Sequence, residues 1–121
     1  MKLEDLEVYQ LAMELGEAVW KLRENGDPFV RRTFGAQWVR ACDSVAANIS
    51  EGFGRYHFRE NRQFCYYARG SLYETKTWLQ KAHRRGYVSD VQHQALQGMI
   101  EQTGIKLNNY IRSIGKGTLK K

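Results

Sequence analysis

The sequence has few prolines, few cysteines and no long apolar runs. Pro28 is the single proline among 121 residues, so long stretches are free to be helical. Cys42 and Cys65 do not make a disulfide framework, and we expect two buried free thiols in a reducing compartment. No apolar run approaches the roughly 18 residues that a membrane-spanning helix needs. The acidic, amphipathic N-terminus is unlike a signal peptide, so we expect a cytoplasmic protein.

Acidic residues become scarce after residue 27. Residues 1–27 carry three Lys or Arg against seven Asp or Glu, a net charge of −4, whereas residues 28–121 carry sixteen against six, a net charge of +10. Hydrophobic residues make up 42% of the chain and charged residues 26%, which indicates one globular domain. An acidic helix beside a basic body suits an anionic partner or head-to-tail assembly, although an ordinary solvated surface has the same composition.

The sequence also lacks the period-two alternation of strands, and helical periodicity takes its place. Steps of four and three residues predict a first helix that ends at Asn25-Gly26; its apolar stripe is Val8, Ala12, Leu15, Val19 and Leu22. Asp27 is the expected N-cap of a second helix, with Pro28 at its first position. This helix is predicted over about residues 28–52, with one stripe formed by Phe34, Trp38, Ala41, Val45, Asn48 and Gly52.

Two further helices follow the break at Gly52-Phe53-Gly54. The third is predicted over about 57–85, and its mid-helix Gly70, which costs about 1 kcal/mol against alanine, suggests a close contact with another backbone. The fourth is predicted over about 89–114 behind a capping box that begins at Ser89. We therefore expect an all-α, antiparallel up-down-up-down four-helix bundle over residues 1–114 and a disordered basic tail over 115–121.

Residue patterns for catalysis, metals or cofactors are missing. Cys42 and Cys65 have no Cys-x-x-Cys companion, and Asp90-x-x-His93, the nearest approach to a di-iron motif, lies at a helix start. The three histidines, His57, His83 and His93, are scattered and are expected at the surface or in loops. We predict no enzyme and no cofactor, with a nucleotide-directed enzyme using Glu51 or Glu74 as a remote alternative.

Polar residues near the end of the second helix predict a specific packing arrangement. Asn48, and with it Glu51, falls on the side that periodicity marks as buried, where a polar group needs a partner. We expect a cation to pair with Glu51 or Glu74 and so to lock the second and third helices together. The available cations are Arg55, Arg69 and Lys76.

The third helix carries the strongest functional signal. Cations and tyrosines recur at steps of four and three residues in a single stripe: Arg55, Arg59, Arg62, Tyr66, Arg69, Tyr73 and Lys76. Arginine forks pair with phosphates and tyrosine rings stack on unpaired bases, so the stripe is typical of a nucleic-acid surface. Arg84 and Arg85 would extend it. A solvated charged face and a protein–protein interface remain alternatives.

Aromatic residues are too many for one small four-helix core. They make up 12% of the chain, and we expect several of them at the surface, as in an oligomer interface. The surplus comprises Tyr9, Trp20, Phe53, Tyr56, Phe58, Tyr66, Tyr67 and Tyr73.

Two segments resemble a known family. Ser44-Val45-Ala46-Ala47-Asn48-Ile49-Ser50-Glu51-Gly52-Phe53-Gly54-Arg55 is similar to the Ser-Ile-Pro-x-Asn-Ile-Ala-Glu-Gly-x-Gly-Arg signature of a bacterial four-helix-bundle family. Phe64-Cys65-Tyr66-Tyr67-Ala68-Arg69-Gly70-Ser71-Leu72-Tyr73-Glu74 resembles its Phe-Leu-x-x-Ala-x-Gly-Ser-x-x-Glu segment. The family includes proteins encoded in intervening sequences of bacterial 23S rRNA genes, and accessory variability determinant proteins of diversity-generating retroelements are related.

The resemblance implies a homopentamer of antiparallel bundles with basic surfaces, nucleic-acid binding and no enzymatic activity. For the retroelement branch it also implies binding to a reverse transcriptase. The matching motif positions are Asn48, Glu51, Gly52, Gly54, Arg55, Gly70, Ser71 and Glu74. The usual proline of the family is replaced by Ala46.

Two hypotheses follow. The first is a non-catalytic, oligomeric accessory protein that binds RNA, DNA or both through the Arg/Tyr surface of the third helix. The second is a protein-interaction scaffold that makes no direct nucleic-acid contact.

Overall fold

The computed structural model of the chain describes residues 1–116, which contain helices and turns but no β-strand. The α-helices are α1 (Glu7–Leu22), α2 (Pro28–Arg32), α3 (Phe34–Phe53), α4 (Phe58–Arg84) and α5 (Asp90–Ser113). Single 3₁₀ turns at Leu3–Asp5 and Arg23–Asn25 precede and follow α1. The four long helices confirm the predicted all-α bundle.

Neighbouring long helices run antiparallel. The end of α3 meets the start of α4 where Gly52 packs on Asn61, and the start of α4 meets the end of α5 where Arg62 reaches the Ile114 carbonyl. Lys106 of α5 forms an ion pair with Glu7 at the start of α1. Since α1 packs on α3 and α5, and α4 also packs on α3 and α5, the α1/α3 face lies opposite the α4/α5 face.

The core is apolar and lies on the central axis of the bundle. Each long helix contributes a stripe at steps of three and four residues, as the sequence predicts. The most buried large apolar side chains of the core are Leu15, Val19, Val45, Ile49, Leu79 and Leu107. Cys42 and Cys65 are both buried, as predicted, and form no disulfide with each other.

The prediction of one continuous second helix is wrong, because the helix is interrupted at Thr33. Asp27 does cap the start, and its carboxylate accepts a hydrogen bond from the Val30 amide. The Thr33 hydroxyl donates back to the Phe29 carbonyl at 2.8 Å, and the Thr33 backbone leaves helical geometry with φ −100° and ψ −109°. Such back-bonding competes with the helical ladder, so α2 and α3 are separate helices.

The turn between α4 and α5 follows the predicted pattern. Gly86 adopts a φ of +78°, which favours glycine, immediately after the end of α4. The Ser89 hydroxyl accepts a hydrogen bond from the Gln92 amide, while the Gln92 side chain accepts one from the Ser89 amide. This confirms the capping box at the start of α5.

Two other predictions concern Gly70 and the tail. A Cβ placed on Gly70 would meet no atom within 4 Å, so the expected close contact with another backbone is wrong within residues 1–116. Residues Gly115 and Lys116 form a turn after α5. The rest of the predicted basic tail, residues 117–121, lies outside the described residues.

Candidate nucleic-acid interface

Six side chains of α4 form one outward face on the side of α5. Their steps of three and four residues confine them to an arc of about 100° around the helix axis. Each is exposed or half-buried, and Tyr73 is 67% exposed. We call this set the α4 surface; it comprises Arg59, Arg62, Tyr66, Arg69, Tyr73 and Lys76.

Arg69 is the best-positioned cation of the α4 surface. Its Nη1 donates a hydrogen bond of 3.0 Å to Oδ1 of Asn108 on α5. Its Cζ lies 5.1 Å from the centre of the Tyr66 ring, within cation–π range. A neutral amide and an aromatic ring therefore orient the guanidinium without neutralising its charge.

Arg62 is held differently, at the carboxyl end of α5. Its Nη1 donates a hydrogen bond of 3.2 Å to the Ile114 carbonyl. A cation is favourable at that position because helix carbonyls concentrate negative potential at the C-terminus. Arg62 therefore has a structural role in addition to its place on the α4 surface.

A groove of about 330 Å³ runs beside these residues, between α4 and α5. Arg69, Tyr73 and Lys76 line its α4 side, and Glu101, Ile105 and Asn108 are among the residues on its α5 side. Among residues 1–116, none of the α4 surface cations forms an ion pair with a carboxylate, not even with Glu101. The positive charge of the surface is available to an external anion.

Two of the predicted site residues, Arg55 and Arg85, lie outside α4, so the predicted surface is too long. Arg55 lies in the α3–α4 turn, where it pairs with Glu51 at 3.1 Å and its Cζ lies 4.7 Å from the Phe64 ring. Arg85 stacks over Phe34, 5.1 Å from the ring centre, and Arg84 is exposed in the last turn of α4. Helical spacing placed Arg55 in the stripe, and Arg84 with Arg85 was expected to extend it, but α4 begins at Phe58 and ends at Arg84.

Residues 4–109 match the family of 23S rRNA-intervening sequence proteins. The chain belongs to this family. A crystal structure at 1.70 Å of a protein with unknown function from the S23 ribosomal protein family of Bacteroides thetaiotaomicron is similar in fold, with a TM-score of 0.78 and 19% sequence identity. The similarity covers 87% of this chain and 98% of the other. No curated protein matches the chain.

In this member of the intervening-sequence protein family, Glu51 has one of the predicted cations as its partner, whereas Glu74 does not. Glu51 is exposed, contrary to its predicted burial, and pairs with Arg55, whose guanidinium also lies over Phe64 of α4. The Glu74 carboxylate accepts a hydrogen bond from Nε1 of Trp78 within α4. Both carboxylates reach solvent, so neither needs a cation from a second helix.

The other motif positions of the intervening-sequence protein mainly serve packing between α3 and α4. The Ser44 hydroxyl donates to the Ser71 hydroxyl at 2.6 Å across the two helices. A Cβ on Gly52 would lie 2.8 Å from the Asn61 carbonyl, so only glycine allows this approach. Gly54 follows α3 as its C-terminal cap residue.

Asn48 is only half-buried, which corrects its predicted burial. Its Nδ2 donates to the Ser44 carbonyl of its own helix. The centre of the buried side of α3 runs through Cys42, Val45 and Ile49, all fully buried, so Asn48 lies at its edge.

The buried amide of this family member is Asn61, which the sequence analysis missed. It is 2% exposed, and its Nδ2 donates to the Tyr110 hydroxyl at 3.2 Å. The hydroxyl pKa of Tyr110 is raised by burial, against an opposing effect of the Asn61 hydrogen bond. Asn61 lies four residues before Cys65, so extending the apolar stripe of α4 by one step would have found it.

Groups that could carry other chemistry are arranged for structure. Burial, with a smaller effect of Asp43, raises the pKa of the Cys42 thiol to about 12, which suppresses the thiolate. Residues 1–116 contain no cluster of three His, Cys, Asp or Glu side chains suited to a metal. The histidines are not all scattered: the His83 and His93 rings stack at 4.1 Å. No helix in the same range is long and apolar enough to cross a bilayer.

Proposed function

We propose that this chain is a non-catalytic, cytoplasmic nucleic-acid-binding accessory protein that contacts RNA, DNA or both through the α4 surface. The observation that carries the proposal is the α4 surface itself: cations without carboxylate partners in residues 1–116, alternating along one helix face with two exposed tyrosines. Arg69, oriented by Asn108 and Tyr66, is its central contact.

The dimensions of the α4 surface suit a phosphate backbone. Seventeen residues separate Arg59 from Lys76, or about 26 Å at 1.5 Å per residue. That length corresponds to roughly seven base pairs of axial rise in duplex DNA at 3.4 Å each, so the few phosphates on the facing side of the duplex lie within its reach. Arginine binds phosphate in two-point geometry, and an exposed ring such as Tyr73 offers a stacking platform to an unpaired base.

We extend the proposal to assembly and partners. The protein forms a homo-oligomer, a pentamer by the family resemblance, and the acidic α1 and exposed aromatic side chains support self-association. If the chain belongs to the retroelement branch, its protein partner is a reverse transcriptase.

A second candidate function is a protein-interaction scaffold without direct nucleic-acid contact. Ile105, 56% exposed beside the α4–α5 groove, and the nearby Tyr73 favour it. Arginine and tyrosine are enriched in protein interfaces as well as in nucleic-acid surfaces.

Charge reversal at two exposed cations without structural contacts tests the main proposal. Arg59→Glu with Lys76→Glu is compared with the matched control Lys2→Glu with Lys21→Glu, two exposed lysines away from the α4 surface. Fluorescence anisotropy with a labelled RNA hairpin and a labelled DNA duplex gives affinity against salt concentration. We expect only the α4 variant to bind more weakly, with a salt slope smaller by about 0.9 per lost contact on duplex.

Two results would count against it. If the affinity of the wild type did not depend on salt concentration, the protein would not bind through phosphate contacts. If the α4 variant and the control lost the same amount of affinity, the loss would be due to net charge and not to the α4 surface. Loss of self-assembly or of a protein partner in the α4 variant alone, with unchanged nucleic-acid affinity, would favour the scaffold.

A second measurement addresses stacking. Tyr73→Leu should weaken binding to single-stranded RNA by about 1–3 kcal/mol, because base–aromatic stacking contributes that much per base. Tyr73→Phe keeps the ring and should bind as the wild type. If both variants bind equally well, Tyr73 is not a stacking platform.

A further inference from the structure

A second cationic groove lies on the opposite side of the bundle, between α1 and the start of α3. Its volume is about 320 Å³. Three arginines, Arg23, Arg31 and Arg40, surround an apolar floor that includes Ala36 and Val39. Because the α1/α3 face is opposite the α4/α5 face, this groove is separate from the α4 surface.

Trp20 and Arg23 form one wall of the groove. The Arg23 Cζ lies 3.8 Å from the centre of the Trp20 ring, and the Trp20 side chain is 47% exposed. The Arg23 Nε is buried and has no hydrogen-bond partner in residues 1–116. An unpaired donor on a cation is costly, so the hydrogen bonding of this guanidinium is incomplete in the chain alone.

Arg31 and Arg40 have only neutral, distant partners. Arg31 Nη2 lies 3.4 Å from the Glu24 carbonyl oxygen, and Arg40 Nη1 lies 3.3 Å from Oε1 of Gln37. Neither arginine, nor Arg23, forms an ion pair with a carboxylate of the described chain. Three unneutralised guanidinium groups around one groove repel each other unless an anion joins them.

The α1/α3 face of the bundle becomes acidic with increasing distance from α2. The adjoining α1–α3 groove is lined by Glu17 and Asp43, and the pKa of Asp43 is raised by burial and by Glu17. A polyanion is therefore attracted to the end near α2 and repelled from the middle of the face. We therefore expect a bound polyanion to lie at the arginines and away from Glu17 and Asp43.

We propose that the Arg23–Arg31–Arg40 groove binds a phosphate group of a nucleic-acid strand, as a contact independent of the α4 surface. Arginine is the side chain best suited to two-point phosphate binding, and the exposed part of Trp20 is available to a neighbouring base. The open groove, with cations at its rim, favours a strand over a free phosphate compound, although the phosphate chemistry is the same.

The test follows the indole N–H resonance of Trp20 by NMR in the full-length chain, assigned with Trp20→Phe. The probes are a short oligothymidylate and inorganic pyrophosphate. Arg31→Gln with Arg40→Gln is compared with Arg32→Gln, a neighbouring exposed arginine that lies outside the groove. Thermal melts of each variant verify that it is folded.

We expect oligothymidylate to shift the Trp20 resonance in the wild type and in Arg32→Gln. In the double variant the concentration that produces the shift should rise at least about tenfold, because two guanidinium groups that hydrogen-bond the phosphate are lost. A shift by pyrophosphate at concentrations as low as those of the oligonucleotide would overturn the strand as ligand. An unshifted resonance with both probes, or a shift unchanged by the double variant, would overturn the site.

The α4 variant Arg59→Glu with Lys76→Glu separates this inference from the proposed function. If the groove is independent, the Trp20 shift persists in that variant. If the α4 surface does not bind nucleic acid, the anisotropy comparison fails while the Trp20 shift remains. Loss of the Trp20 shift in the α4 variant would overturn the independence of the two contacts.

Discussion

The amide of Asn61 on α4 and the hydroxyl of Tyr110 on α5 are joined by a buried hydrogen bond of 3.2 Å. Asn61 also contacts α3, since its backbone carbonyl lies against Gly52. Its Oδ1 lies 3.7 Å from the Cys65 thiol. One buried amide thus connects three helices.

Removal of the Tyr110 hydroxyl should destabilise the fold. Tyr110→Phe leaves the buried Asn61 amide without this partner, at a cost of about 1–3 kcal/mol in the free energy of unfolding. Tyr67→Phe, which removes a hydroxyl from an exposed ring, should change it by less than about 0.5 kcal/mol. Urea denaturation of both variants measures the difference, and equal stabilities would mean that the bond contributes nothing.

Alanine should have opposite effects at two helical glycines. At Gly52 a Cβ would lie 2.8 Å from the Asn61 carbonyl, so Gly52→Ala must separate α3 from α4 and is destabilising. At Gly70 a Cβ meets nothing, so Gly70→Ala should stabilise α4 by about 1 kcal/mol through helix propensity. Thermal melts at several protein concentrations measure both. A concentration-dependent loss of stability in Gly70→Ala would instead place Gly70 in a contact with a second copy.

Asp43 should make stability depend on pH. Partial desolvation of its carboxylate beside Gly16 of α1 and, second, Glu17 raise its pKa above the ordinary 3.8, so the folded chain keeps this proton to higher pH than the unfolded chain does. The free energy of unfolding therefore falls as pH rises from 3.8 to the folded-state pKa of Asp43. Above that pKa the full destabilisation from the ionised carboxylate is present.

Asp43→Asn removes the cost, and we expect it to be more stable than the wild type at neutral pH. The advantage should disappear below pH 3.8. Urea denaturation across the pH range measures it, with Glu14→Gln as a control on α1. An advantage that persists unchanged at acid pH would assign the effect to packing.

The Cys42 thiol should resist alkylation while the protein is folded. A rise in pKa from 9.0 to about 12 lowers the thiolate fraction at pH 8 by roughly a thousandfold, and burial adds a steric barrier. Cys65→Ala leaves Cys42 as the single thiol, and iodoacetamide labelling followed by mass spectrometry measures the rate with and without urea. Rapid labelling without urea would show that the bundle opens locally.

The sequence was sufficient for the helices because their stripes repeat at steps of three and four. It located the caps at Asp27 and Ser89, whose signals are local. It missed the break at Thr33, because a hydroxyl that bonds back to the Phe29 carbonyl has no distinct sequence pattern. Spacing alone also placed Arg55 on α4, whereas Gly54 ends α3 and leaves Arg55 in the turn.

Only the α4 half of the candidate site was predictable from the sequence. The cations and tyrosines of α4 share a face by periodicity, but their partners, Asn108 on α5 and Ile114 just after it, lie about 40 to 50 residues away in sequence. The Arg23–Arg31–Arg40 groove is harder still to predict, since its three arginines belong to three different elements. Only the packing of the helices brings them together.

Arg62 gives the α4 surface a mechanical connection to the end of the bundle. Its guanidinium donates a hydrogen bond to the Ile114 carbonyl just after α5, and under the proposed function a phosphate would compete for the same donor. Phosphate binding at α4 and fraying at the end of α5 would then be coupled through one side chain, because a ligand that captured Arg62 would remove its hydrogen bond to Ile114.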